Sequence, residues 1–266
     1  MLSSCAPTFP ARTLSGQLVK LVKDEEKLNS VCHITGKTLW VYVPVENLID
    51  EKDLSWSEKS LDKMSHVLSI VHRAILSTDA KLDFSIVIFS DVKKYGIQLI
   101  NYEYIPDIKE AIMERFSRGE FFKRSIKDIA VIPAAINDTT GESVEFYDMT
   151  FDRFLGLQVM HRTKSLFAKN KMLNKIFELK SSSQTQKFGT IKIEFEFVKK
   201  TYILTPEEEK LNPLDFVTQI AAEVAKNYNY KDLQAFELKD TFSGKTNTLD
   251  VAALKKIKIA LPKTED

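Results

Sequence analysis

Cysteine is nearly absent from this chain. Only Cys5 and Cys32 occur in 266 residues, and with the four histidines His33, His66, His72 and His161 they make no zinc ligand set of familiar spacing. Long apolar runs are missing too: no stretch approaches the roughly 20 apolar residues that a membrane-spanning helix needs. Glycine and proline are scarce at 8 each, which leaves most of the chain to regular elements. Neither sign of charge dominates, since 38 Lys+Arg against 37 Asp+Glu leave +1. That balance argues against a protein whose work is to neutralise nucleic-acid phosphate, so no nucleic-acid partner is expected. Gly-x-Ser-x-Gly, His-Glu-x-x-His and Gly-x-Gly-x-x-Gly are all missing. Neither a cofactor nor a metal ion is therefore expected. Dispersed carboxylates leave no local signature, so a catalytic set of that kind stays open.

What is present is a β-α-β-β-α pattern that occurs twice. Thr38-Leu39-Trp40-Val41-Tyr42-Val43 and Thr190-Ile191-Lys192-Ile193-Glu194-Phe195 are both β-rich, and their apolar positions match at an offset of 152. In the second copy the alternate face is charged, so that strand is half-exposed. In the first it carries Trp40 and Tyr42 and is expected to be covered. A helix follows in each. Leu61, Met64, Leu68, Val71 and Ile75 mark its apolar stripe in the first copy; Phe216, Ile220, Val224 and Tyr228 mark it after Asn212-Pro213 in the second. A second strand (Leu82 to Phe89; Leu233 to Leu238) reaches a turn at Asp91 to Gly96 and at Asp240 to Gly244. A third strand and a short helix close each copy. The expected fold is α+β: two such subdomains with mixed or antiparallel sheets, with internal duplication as one explanation.

Between the copies, Ile129 to Ile132 and Val144 to Tyr147 flank Asn137-Asp138-Thr139-Thr140-Gly141, which reads as a hairpin. Helices follow around Phe154 to Arg162 and Met172 to Phe177. Ser181-Ser182-Ser183-Gln184-Thr185-Gln186 has the composition of a linker. These features divide the chain into a tether (1–16), a larger domain (17–180), a linker (181–188) and a smaller domain (189–263).

Several fragments resemble motifs. Ser60-Leu61-Asp62-Lys63 fits Ser-x-x-Lys at a helix start but lacks the partner signatures of penicillin-recognising enzymes, and reads as a capped amphipathic helix. Gly36-Lys37-Thr38 and Gly244-Lys245-Thr246 lead into strands, so they are turns rather than phosphate loops. His66 and His72 are six residues apart on different helix faces. His33 beside Cys32 suggests a thiol pair. Asp138, Glu142, Glu145 and Asp148 lack calcium-loop spacing and read as a solvated hairpin. Tyr102, Tyr104, Arg115, Arg118, Phe121 and Phe122 form a candidate protein interface, because aromatics with arginine are common at such surfaces.

At the start, Leu2-Ser3-Ser4-Cys5 resembles the lipobox of bacterial lipoproteins, followed by the proline-containing stretch Ala6 to Thr13. The resemblance implies a signal sequence upstream of Met1, cleavage before Cys5, and a diacylglycerol on its thiol. It further implies a protein held at the bacterial cell envelope, facing the periplasm or the cell surface. Its partners would then be the membrane, through the lipid on Cys5, and an envelope protein that it binds or scaffolds. A lipid-anchored hydrolase is one alternative. A cytosolic protein with an unrelated Cys5 is the other. In an oxidising compartment a Cys5–Cys32 disulfide would be a competing use of the two thiols.

Overall fold

The computed structural model describes residues 8–50, 55–201 and 203–262. The chain divides at Met149/Thr150 into two compact units, each with its own hydrophobic core.

The first unit opens with helix α1 (Leu14–Glu26), which buries Leu14, Leu18 and Val22 along one stripe. Strands β1 (Val31–Thr35) and β2 (Thr38–Val45) form a hairpin whose turn places Gly36 at φ 57, in the left-handed region. A Cβ at Gly36 would overlap the Asp148 carboxylate, so space and backbone both select glycine there. Helix α2 (Glu58–Leu76) crosses over to β3 (Phe84–Asp91), which lies parallel to β2. A parallel pair requires such a crossover. Strand β4 (Ile97–Tyr104) returns antiparallel to β3. Two short helices, α3 (Ile105–Ile112) and α4 (Arg118–Arg124), then lead to edge strand β5 (Ile126–Val131). The sheet order is β1-β2-β3-β4-β5.

Alternation sends Leu39, Val41, Val43 and Val45 of β2, with Val87 and Phe89 of β3, into a core shared with α1 and α2. Trp40 and Tyr42 point to the other face, and both are buried. The segment from Ile132 to Met149 covers them. The Trp40 indole donates to the Tyr147 carbonyl (2.8 Å), the Tyr42 hydroxyl donates to the Asp138 carbonyl (2.8 Å), and Phe146 packs against the rings of Trp40 and His33. Only Ile126 to Val131 of this region is a strand, so the expected hairpin around Asn137 to Gly141 does not form. Asp138 explains why. Its carboxylate accepts from the backbone amides of Thr140, Gly141, Glu142 and Ser143, which winds the chain around it instead of pairing two strands. Asp148 fastens the far end of the cover, accepting from the Lys37 amide and the Thr38 hydroxyl. Two of the four acids expected on a solvated hairpin are therefore structural anchors.

The second unit repeats the plan. Helices α5 (Phe151–Lys169) and α6 (Lys171–Ile176) precede the antiparallel pair β6 (Phe177–Lys187) and β7 (Thr190–Lys199). The short α7 (Pro206–Glu209) and then α8 (Pro213–Tyr228) lead to β8 (Ala235–Asp240), parallel to β7. Strand β9 (Thr246–Asp250) pairs antiparallel with β8, and α9 (Val251–Lys256) closes the unit. Ile191, Ile193, Phe195 and Phe197 face the helices. The opposite face carries Lys192, Glu194, Glu237 and Lys239 in a partly exposed ion-pair network, as the charged alternation implied. The fold is thus α+β with two mixed sheets, and both units pair their strands in the sequence antiparallel, parallel, antiparallel.

The boundaries differ from those read off the sequence. Ser181 to Gln186 is not a linker but the middle of β6, with a bulge between Leu179 and Ser181. Its polar residues suit an edge strand that alternates between half-buried and exposed. The unit boundary therefore falls about thirty residues earlier, at 149/150, and α5 and α6 belong to the second unit. The ordered body also starts before residue 17. The Phe9 amide donates to the Ser77 carbonyl and the Ala11 amide to the Asp79 carboxylate.

The hydrogen bonds around Asp138 set a pH dependence. Burial opposes its charge, but the Ser143 hydroxyl and the surrounding amides outweigh that and hold the carboxyl well below the usual carboxylate range. A folded-state pKa below the unfolded one gives stability that is complete above about pH 4 and is lost as the pH falls further. Asp138→Ala should destabilise the first unit by about 2–3 kcal/mol at pH 7. In urea melts by near-UV dichroism, the gap to the parent chain should narrow below about pH 4. A gap independent of pH would refute the electrostatic account.

Candidate functional site

The site is built where β2 ends. After Val45 the chain runs through Glu46, Asn47 and Leu48 before entering α2, and three polar contacts fix this short stretch. The Leu48 amide donates to Oδ2 of Asp91 (3.3 Å), the Leu48 carbonyl accepts from the Ser57 amide (3.0 Å), and the Asn47 carbonyl accepts from the Ser60 hydroxyl (2.6 Å). Asp91 is buried at the end of β3, and its Oδ1 also accepts from the amides of Lys93, Lys94 and Tyr95. One carboxylate thus ties the exit of β2 to the turn after β3.

Beside this stretch lies a cleft of about 310 Å³. Its walls are the C-terminal end of α1, the carboxyl end of β2 and the first two turns of α2. Lys27, Lys59 and Lys63 line it, with Asn29, Ser57 and Ser60, while Glu46 is the single carboxylate among the described lining residues. Lys27 donates to the Asp24 carbonyl (2.7 Å). Lys59 and Lys63 meet no carboxylate among the described residues. Ser57 makes no side-chain cap, so the partial positive end of the α2 dipole is left facing the same region. Three cations against one carboxylate, at a helix start beyond the carboxyl end of a strand, give a positive concavity suited to a phosphate or carboxylate group.

Of the two Ser-x-x-Lys residues, Lys63 faces the cleft as a cation, whereas the Ser60 hydroxyl is engaged in holding the Asn47 carbonyl. The Ser-x-x-Lys fragment is visible in the sequence, but the convergence of Lys27, Lys59 and Lys63 is not, because they sit at the end of one helix and the start of another and carry no motif.

Cys5 lies outside the described residues. Tyr102 sits in a cross-strand row with Trp40, Ile86 and Ile126, on the covered face of the sheet. Tyr104 packs on Phe84 (5.5 Å), and burial raises its phenol above the ordinary value, reinforced by Asp83 and Asp107. Arg115 pairs with Glu110 (2.8 Å). Phe121 packs edge-on to His72 (6.3 Å), and Phe122 is exposed beneath the Lys127 ammonium (4.8 Å). Arg118, Phe121 and Phe122 are therefore neighbours on α4, while the two tyrosines lie along β4. His66 pairs with Glu26 (3.2 Å) and His72 with Glu103 (2.7 Å), so the two histidines serve different partners.

The suggested Cys32–His33 pair does not form. Adjacent strand residues point to opposite faces: Cys32 turns toward Ser15 and the helix-side core, and His33 toward Phe146.

Family models, curated proteins and solved structures gave no match to this chain.

The second unit holds a separate polar cluster. Tyr230 lies beside the carboxylates of Asp152 and Asp232 and lines, with Leu233, Leu254 and Lys226, a cavity of about 170 Å³. Burial raises the Asp152 carboxyl above its ordinary value, against the pull of the Tyr230 hydrogen bond, and the Asp232 charge adds to the rise.

Burial pushes the Cys32 thiol up to about 11, with the Ser15 hydroxyl a smaller opposing influence. At pH 8 the folded chain should alkylate at Cys32 roughly 100-fold more slowly than the denatured chain, because the thiolate is the reactive form. Peptide mapping after timed iodoacetamide treatment measures this. Equal rates in both states would show that the thiol is not held in the core.

Proposed function

We propose that this chain is a bacterial envelope lipoprotein, tethered through a lipid on Cys5 and facing the periplasm or cell surface. On this reading its body works as a binding protein whose first unit takes an anionic group of an envelope component. The tether reading draws its support from Leu2-Ser3-Ser4-Cys5. The binding reading is carried by one observation, the cleft in which Lys27, Lys59 and Lys63 face Glu46, the single carboxylate among the described lining residues. A lysine ammonium is a strongly hydrated point charge, so such a cleft selects for charge more than for bidentate shape.

A lipid-anchored hydrolase is the second reading, and the Asp152–Tyr230–Asp232 cluster favours it. Of the three, Tyr230 lines the cavity, and a phenol flanked by two carboxylates has the character of a proton-transfer group.

Three measurements separate these. Expressed with its upstream region, the chain should gain the mass of an acylated cysteine and partition into the membrane fraction, and Cys5→Ser should abolish both. An unmodified Cys5 would leave the cytosolic alternative standing. In isothermal titration, inorganic phosphate should bind the parent chain at least roughly 10-fold more tightly than the Lys59→Ala/Lys63→Ala variant, in line with the loss of two charge contacts. Identical affinities would remove the cleft from the reading. Turnover of an envelope ester or glycan that disappears in Asp152→Asn would favour the hydrolase.

A further inference from the structure

The exposed side of α4 and β5 carries a stripe that the fold does not use. Lys127, Ile129 and Val131 alternate onto one face of β5, and Ile129 and Val131 are 51% and 66% exposed. Phe122, 59% exposed, continues the stripe under the Lys127 ammonium, and Arg118 lies one helical turn before it on α4. Of the acids nearby, Glu110 pairs with Arg115, Glu120 and Asp107 pair with Arg124, and Asp128 accepts from the Ile129 amide. Arg118, Lys123 and Lys127 meet no carboxylate among the described residues. The stripe is therefore apolar along its length and cationic at its rim.

Two alternatives fit it poorly. A strand added to the β5 edge would need the outward amides, and the Asp128 carboxylate already occupies the Ile129 amide (3.0 Å). A second copy of the chain would set Arg118, Lys123 and Lys127 against themselves.

The tether selects the occupant. Phe9 is held to Ser77 and Thr78, so three residues lie between Cys5 and this anchored position, a span of at most about 14 Å. Thr78 precedes β3, whose first residue pairs with Tyr104 at the end of β4; Tyr102 in turn pairs with Ile126, the first residue of β5, just after α4. The tether root and α4 thus share one end of the sheet. A body leashed this closely lies against the headgroups, with α4 near them.

Resting on the lipoprotein reading, we propose that the Phe122–Lys127–Ile129–Val131 stripe docks onto an anionic lipid surface. It would be the second attachment that supplements the lipid on Cys5. Acyl chains fix the distance, and the stripe fixes which way the body faces. Apolar side chains entering the interface beside cations that meet lipid phosphates is the usual chemistry of peripheral attachment.

The test uses the full chain as Cys5→Ser, so that docking is read without acylation. In co-sedimentation it should bind vesicles of equal phosphatidylglycerol and phosphatidylcholine in 0.1 M NaCl. Binding should be lost on pure phosphatidylcholine and in 0.5 M NaCl. Phe122→Ser and Lys123→Glu/Lys127→Glu should each weaken it by roughly 10-fold or more, with melting temperatures unchanged because all three residues are exposed. Lys245→Glu in the second unit should have no effect. Equal binding to neutral vesicles, or indifference to the stripe variants, would overturn the proposal. So would a concentration-dependent dimer, or a complex with an acidic protein, abolished by Phe122→Ser in place of vesicle binding. An acylated Cys5 with no vesicle binding would sink docking alone. Vesicle binding with Cys5 never acylated would sink the tether and leave the stripe's lipid affinity standing.

Discussion

A carboxylate buried at the end of a strand organises this protein, and it does so twice. Asp91 closes β3 and accepts amides from both the following turn and the exit of β2. Asp240 closes β8 and accepts from the Phe197 and Phe242 amides and the Ser243 hydroxyl. Each sits on the helix-covered face, where an unpaired charge would be very costly. Donors from the parallel neighbour answer that cost, so the charge can be buried only when the crossover has been completed and the two strands lie side by side. In the first unit this same bond fixes the wall of the lysine-lined cleft.

The two sheets solve their second faces differently. In the second unit that face carries alternating lysine and glutamate and needs no cover. Such exposed pairs add little stability, but they keep the face wet and single-sided. In the first unit the face is aromatic and must be hidden. No helix is available for it, because α1 and α2 lie on the other side. An irregular segment does the work, shaped by Asp138 and pinned by Asp148. The first unit also carries α4 and the edge strand β5, which have no counterpart in the shorter unit.

Much of the fold was legible in the residues. Period-two alternation in β2 and β7, the 3–4 spacing of α2 and α8, and the Asp-to-Gly turns all report local physics that tertiary structure did not override. The failures have one cause. By composition Ser181 to Gln186 is a linker, because an exposed edge strand can have the same composition. Asp138 and its neighbours were read as turn residues, and they do form a turn, but one wound on a carboxylate and pressed onto a distant sheet. The cleft was illegible because Lys27 and Lys63 meet only after α1 and α2 have packed. Charge convergence has no period.

Trp40 and Trp56 are the two tryptophans of the sequence, and they occupy contrasting places. Trp40 is sealed between sheet and cover, with its indole bonded to the Tyr147 carbonyl. Trp56 is half-buried and bridges to Ile49 on the segment entering α2, next to the cleft. The first unit therefore carries a built-in optical partition: one chromophore whose emission reports solvent entry beneath the cover, and another that reports rearrangement at the cleft mouth. Because the second unit has neither, the tryptophan fluorescence of the intact chain is a record of the first unit alone.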